Sequence, residues 1–163
     1  MEREIQQIAA VTVDGPSSLL VRWRGKRAME SVNLSGWIAT GGELLARLKD
    51  AEMFRRAHVA AYGGAVAWDD DDLSIDSLHL KILSEEQRPF GNVEARNWQD
   101  WAGISNAEAA DLIGVSLSTW NSYRVSARIP RVVAITLRAA ERDPLLMQAH
   151  LRPRTAGRPR KVT

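Results

Sequence analysis

The chain has no cysteine among its 163 residues. That excludes disulfides, thiolate nucleophiles and cysteine metal sites, and it fits a reducing compartment. Histidine is almost as scarce. His58, His79 and His150 are scattered and form no HExxH-type pair. No apolar run approaches the length of a membrane span, so no membrane partner is expected, and the acidic start MEREIQQ does not read as a signal peptide. The GxSxG, P-loop and GxGxxG patterns are missing too. The expectation is a cytoplasmic protein that is not an enzyme and needs no cofactor. What remains is an ordinary globular balance, 45% hydrophobic and 26% charged, with length for one domain or two small ones.

One acidic run invites a metal reading. Asp69 and Asp71 have the alternate spacing of a calcium loop. The sixth position of that loop is Ser74, where glycine is needed, and the twelfth is Leu80, where glutamate is needed. The run reads instead as a solvated turn, with Asp72 or Ser74 capping the next element.

The charges are unevenly distributed. Met1 to Phe90 carries 11 basic and 14 acidic residues, a net of −3, whereas Gly91 to Thr163 carries 11 basic and 6 acidic, a net of +5. A basic half is what a polyanion-binding module needs. The last twelve residues, RPRTAGRPRKVT, hold five of those basic charges and no acid.

The most informative stretch lies in the basic half, SNAEAADLIGVSLSTWNSYR from Ser105 to Arg124. Ser105 and Glu108 have capping-box spacing, which starts a helix. Gly114 stops it, because the left-handed residue at a helix end is cheapest as glycine. Ser116 can cap again, and Leu117 to Arg124 form a second helix. Ala109, Ile113, Val115, Trp120 and Tyr123 fall where two steeply crossed helices share a core. Leu117, Ser118, Asn121 and Ser122 are left on an outward face. This is the helix-turn-helix plan, whose second helix enters the DNA major groove.

Around it, Glu94 to Gly103 reads as a helix with Trp98, Trp101 and Ala102 on one face, packing against Trp120 and Tyr123. Ile129-Pro130 opens another helix, with Val132, Val133, Ile135, Leu137 and Ala140 as its buried side. Asp143-Pro144 ends it, and LLMQAHL adds a last turn or two that can serve a dimer interface. Four or five helices result.

The first half reads differently. Ile5 to Val13, Leu19 to Trp23 and Ala28 to Leu34 are strand candidates joined by Asp14-Gly15-Pro16 and by Arg24-Gly25-Lys26, an antiparallel hairpin or three-stranded meander. Gly36 breaks it. Gly41-Gly42 precedes a short helix with Leu44, Leu45 and Leu48 on one face. A second hairpin flanks Gly63-Gly64, and the acidic turn after Trp68 leads to a short helix or a final strand. The fold class is α+β, a small antiparallel-sheet domain with one or two helices followed by an all-α helix-turn-helix domain. The expected division is 1–84, a linker over 85–93, 94–151, and a basic tail over 152–163.

Two family resemblances attach to these motifs. The apolar strand ending in Trp68, the acidic turn, Asp72-Leu73, Ile75-Asp76 and Leu78 make residues 4–80 resemble the domain of unknown function 2442 family. That resemblance implies a compact antiparallel sheet and carries no activity. Residues 94–143 resemble the lambda-repressor-like (Cro or XRE type) DNA-binding domains. Asn106 stands where that family has a glutamine on the backbone phosphate, and Ser116, Ser118 and Thr119 match the start of its recognition helix. Tyr123 takes the place of the closing aromatic, and Arg128 and Pro130 match the lead into the next helix. Leu117 replaces a common arginine, Arg124 a frequent glutamate and Ser126 a frequent glycine.

The resemblance implies a double-stranded DNA partner and a homodimer. Asn121 would contact adenine, Ser118 and Ser122 either base type, and Leu117 a thymine methyl. Arg124, Arg128 and Arg131 would hold phosphates. In the tail, Gly157, Arg158, Pro159, Arg160 and Lys161 resemble an AT-hook core, and the alternative, favoured where specificity is concerned, is a disordered basic tail with only non-specific electrostatic affinity. Neutralising phosphates with the five tail cations implies a salt slope of about −4 to −5. The expectation is a nucleoid-associated transcriptional regulator, antitoxin-like and autoregulatory, whose first domain holds a protein partner or senses a ligand. The competing expectation is an interaction adaptor whose helix-turn-helix no longer binds DNA, in keeping with an arginine-poor recognition helix.

Overall fold

The computed structural model describes residues 5–154, apart from the side chains of Asp70 and Asp71. The chain divides into two compact units, Met1–Arg88 and Pro89–Thr163. The first is mixed α+β and the second is helical.

In the first unit, β1 (Ile8–Val13), β2 (Ser18–Trp23) and β3 (Met29–Asn33) form an antiparallel meander in the order β1-β2-β3. The period of two is visible along β2, where Leu19, Val21 and Trp23 are fully buried and Arg22 is exposed. Gly25, at φ 78°, turns the chain from β2 into β3. The meander ends at Asn33, just ahead of the break expected at Gly36. Gly36 is the second residue of α1 (Ser35–Thr40), which starts where Asn33 Oδ1 accepts from Ser35 N at 2.8 Å. Next come α2 (Gly42–Ala46), a single 3-10 turn over Arg47–Lys49, and α3 (Ala51–Phe54). Leu45 and Leu48 are buried but Leu44 is exposed, because the 3-10 turn shifts the phase of the expected apolar face.

A second antiparallel sheet comes next, β4 (His58–Ala60), β5 (Ala65–Trp68) and β6 (Asp70–Asp76), in the order β4-β5-β6. The acidic run is therefore largely strand. Asp69 turns it at φ 49°, and its carboxylate oxygens accept from Arg56 at 2.8 and 2.9 Å. The expected strand and the expected helix after Trp68 are both present, since β6 leads straight into α4 (Ser77–Gln87). Trp23, Trp68, Phe54, Leu73 and Leu80 fill the core with less than 2% exposure each. Burying such a side chain contributes about 1.5–3 kcal/mol.

Helix α4 is fastened to β3 by polar contacts. Gln87 Oε1 accepts from Asn33 N and Gln87 Nε2 donates to Asn33 O, both at 2.8 Å, so the amide continues the ladder. Glu30 accepts from Ser84 Oγ at 2.6 Å, from Trp23 Nε1 at 3.0 Å and from Arg88 at 2.8 Å, with Lys81 Nζ at 3.3 Å. Burial raises the Glu30 pKa. The hydrogen bonds from Ser84, Trp23 and Arg88 and the Lys81 charge outweigh it and hold the group at about 2. Residues 85–87, read as linker, are thus the last turn of α4. Asn92 at the other end of that stretch begins the next helix.

The second unit contains α5 (Asn92–Ala102), α6 (Asn106–Ile113), α7 (Leu117–Val125), α8 (Arg131–Arg142) and α9 (Pro144–His150). Its core joins Ala95 and Trp98 of α5, Ala109 and Ala110 of α6, Trp120 and Tyr123 of α7, and Val133, Leu137 and Ala140 of α8. Trp98 meets Trp120 edge-on, with centroids 6.2 Å apart and planes at 74°. Three residues expected in this core are exposed, Trp101, Val132 and Ile135. At about 100° per residue, Val133, Ala134, Leu137 and Ala140 share one arc of α8, and Val132 and Ile135 lie together on the opposite face.

Candidate nucleic-acid interface

The helix-turn-helix is set by local signals. Glu108 Oε2 accepts from Ser105 N at 2.8 Å, and Ser105 Oγ accepts from Glu108 N at 3.3 Å, closing the capping box of α6. Glu108 Oε1 also accepts from Arg154 N at 2.9 Å. The main-chain donors of Ser105 and Arg154 and the Ser105 hydroxyl hold its carboxyl below the usual glutamate range. Gly114 is left-handed at φ 72°, and Val115 N returns to Ala110 O at 3.0 Å. Ser116 caps α7, its Oγ accepting from Thr119 N at 3.0 Å. Ala109 and Ala110 are small enough for α7 to approach, and both are buried.

A polar relay then fixes the outer face of α7. The indole N–H of Trp120 can only donate, so the Gln99 atom 2.9 Å away is the accepting Oε1. Gln99 Nε2 is thereby aimed at Ile104 O, at 2.9 Å, and Asn106 Oδ1, at 2.8 Å. Asn106 Oδ1 being an acceptor, its Nδ2 donates to Asn121 Oδ1 at 2.9 Å. Each amide orientation is set by the one before. Asn121 keeps its amino group and one carbonyl lone pair for an outside partner.

Leu117, Ser118, Asn121 and Ser122 come together as expected, lining an open groove of about 530 Å³ with Val125 and Ser126. Ser122 Oγ donates to Ser118 O at 3.0 Å, and Ser116 and Thr119 share a hydroxyl contact at 2.8 Å. Arg128 and Arg131, just before and at the start of α8, are exposed and have no ion pair among the described residues.

Arg124 differs from the expectation of a free phosphate contact. It is half-buried, its Nη1 donates to Asn106 Oδ1 at 3.1 Å, and its buried Nε has no partner among the described residues. It stands one residue from the buried Tyr123, and the relay supplies it with an acceptor. Arg158, Arg160 and Lys161 lie outside the described residues.

Three positioning residues carried no signal in the sequence. Gln99 is the hub of the relay. Asn92 Nδ2 donates to Tyr123 O at 2.6 Å and Ala127 O at 2.8 Å, and Arg96 donates to Arg124 O. Asn92 and Arg96 satisfy carbonyls that the end of α7 leaves open. Their partners in and just after α7 are 21 to 35 residues away.

No family model and no curated protein matches this chain, so neither family resemblance read from the motifs has a matching model. Among solved structures the chain is similar to the crystal structure of "Putative DNA Binding Protein NE0471" from Nitrosomonas europaea ATCC 19718. The identity is 23% and the TM-score 0.46, over 100% of this chain and 99% of that one. No helix among the described residues is long and apolar enough to cross a membrane.

Proposed function

We propose that this chain is a sequence-specific, double-stranded-DNA-binding transcriptional regulator that works without a catalytic step. The observation that carries the reading is the α6–α7 pair. It has capped ends, a left-handed glycine at the turn and a relay that holds Asn121 outward on an exposed face. Such a face, followed in the chain by the exposed Arg128 and Arg131, would supply base-edge readers together with phosphate-binding cations. The regulator acts in the cytoplasm as a homodimer on half-sites about one helical turn apart. Its first unit binds a partner or senses a ligand in an antitoxin-like, autoregulatory arrangement.

The inward turn of Arg124 favours a second reading, an adaptor whose α7 meets protein instead of DNA. Anisotropy titrations on random duplex DNA across a salt series, with the full chain and with a chain ending at Leu151, separate the two. Micromolar binding that survives truncation with a shallower salt slope supports the regulator. Binding that vanishes with the tail, or none at low salt, supports the adaptor.

A further inference from the structure

Leu117, Asn121 and Val125 recur at every fourth position of α7, so they form one stripe on its outer face. Leu117 is 48% exposed and Val125 75% exposed. The charged residue of this helix, Arg124, is drawn inward onto Asn106 and is not among the residues lining the groove. The groove therefore receives two apolar side chains, three serines and one amide, and no guanidinium or ammonium from α7.

That inventory is selective. Guanine is read best in the major groove by arginine or lysine on its O6 and N7, and α7 presents neither there. The apolar group that the major groove displays is the thymine methyl, and it suits an exposed leucine or valine. Asn121 retains an amino group and a lone pair, the combination that pairs with adenine N7 and N6. The nine residues from Leu117 to Val125 span about 12 Å at 1.5 Å per step, or roughly three to four base-pair steps of 3.4 Å.

We infer, resting on the DNA-binding reading above, that α7 recognises an A·T-rich half-site. Leu117 and Val125 each cover a thymine methyl, the two thymines standing about three or four steps apart, and Asn121 reads an adenine between them.

The test is selection of duplexes from a random library by the full chain. Anisotropy titrations then compare the selected duplex with copies in which single thymines are replaced by deoxyuridine, which removes only the methyl. Each of the two replacements is expected to weaken binding by about fourfold, the equivalent of one buried methyl-sized group. Leu117→Ala abolishes the dependence at one thymine and Val125→Ala at the other. Both side chains are exposed, so neither change disturbs the core. A selected site with guanines opposite α7, or equal affinity for thymine and deoxyuridine duplexes, would overturn this inference and leave DNA binding standing. Failure to bind any duplex at low salt would overturn the DNA-binding reading and the inference together.

Discussion

Replacing Gln99 by leucine tests whether the relay behind α7 is structural support or incidental contact. Gln99 is 7% exposed and the Trp120 it serves is fully buried. Leucine matches the volume and removes the acceptor at 2.9 Å from Trp120 Nε1, which strands an indole N–H inside the core. A stranded buried donor costs about 1–3 kcal/mol. The lost bonds to Ile104 O and Asn106 Oδ1 are replaceable, by water at half-buried Ile104 and by Arg124 at Asn106, and add about 0.5–1 kcal/mol. The second unit should therefore lose about 1.5–4 kcal/mol. Denaturant unfolding followed by circular dichroism reads the loss, and the Trp120 indole N–H proton resonance reports its cause. Adding Trp120→Phe removes the stranded donor, so the double variant should be less destabilised than the sum of the singles by at least about 1 kcal/mol. An unchanged midpoint for Gln99→Leu, or strict additivity in the double variant, refutes the relay.

Three further outcomes are expected. Glu30 has a folded pKa of about 2 against 4.5 for the free group, so its stabilisation is present above about pH 4.5 and is lost as pH falls through 2. With its side chain 28% exposed the effect is about 1–2 kcal/mol after solvent screening, and acid unfolding of Glu30→Gln compared with the parent should show that part of the pH dependence gone. Gly114→Ala meets no atom within 4 Å but imposes φ 72° on a residue with a side chain, so it should cost about 1–2 kcal/mol by thermal melting with no repacking of the core. Arg128→Ala combined with Arg131→Ala should weaken binding to all duplexes alike and reduce the salt slope in anisotropy titrations by about 2; a change in site preference instead would mean that these side chains read bases.

The parts of this molecule that were legible in the sequence are those fixed within a few residues. Ser105 and Glu108 cap α6, Gly114 ends it and Ser116 starts α7, because each of these acts on main-chain groups no more than about one turn away. The meander was legible for the same reason, since Gly25 and the alternation of Leu19, Val21 and Trp23 are local. The misplacements have a common cause. Val132, Ile135, Trp101 and Leu44 are apolar residues that lie off the buried arcs of their helices, and apolar character alone does not say which arc is covered, since that depends on what packs against it. Residues 85–87 looked like a linker because Glu85, Glu86 and Gln87 show no apolar period, yet Gln87 is held in place by the backbone of Asn33, 54 positions away.

By itself, the sequence determined the helix-turn-helix and the residues on the outer face of α7. Caps, a left-handed glycine and helical spacing are short-range physics. The tertiary structure alone decided what that face presents. It turned Arg124 inward, oriented Asn121 through Gln99 and Asn106, and left Leu117 and Val125 as the exposed apolar ends of the stripe. A guanidinium or an amide is directed by the nearest available acceptor or donor, and here those come from α5 and α6, helices that only folding brings to α7.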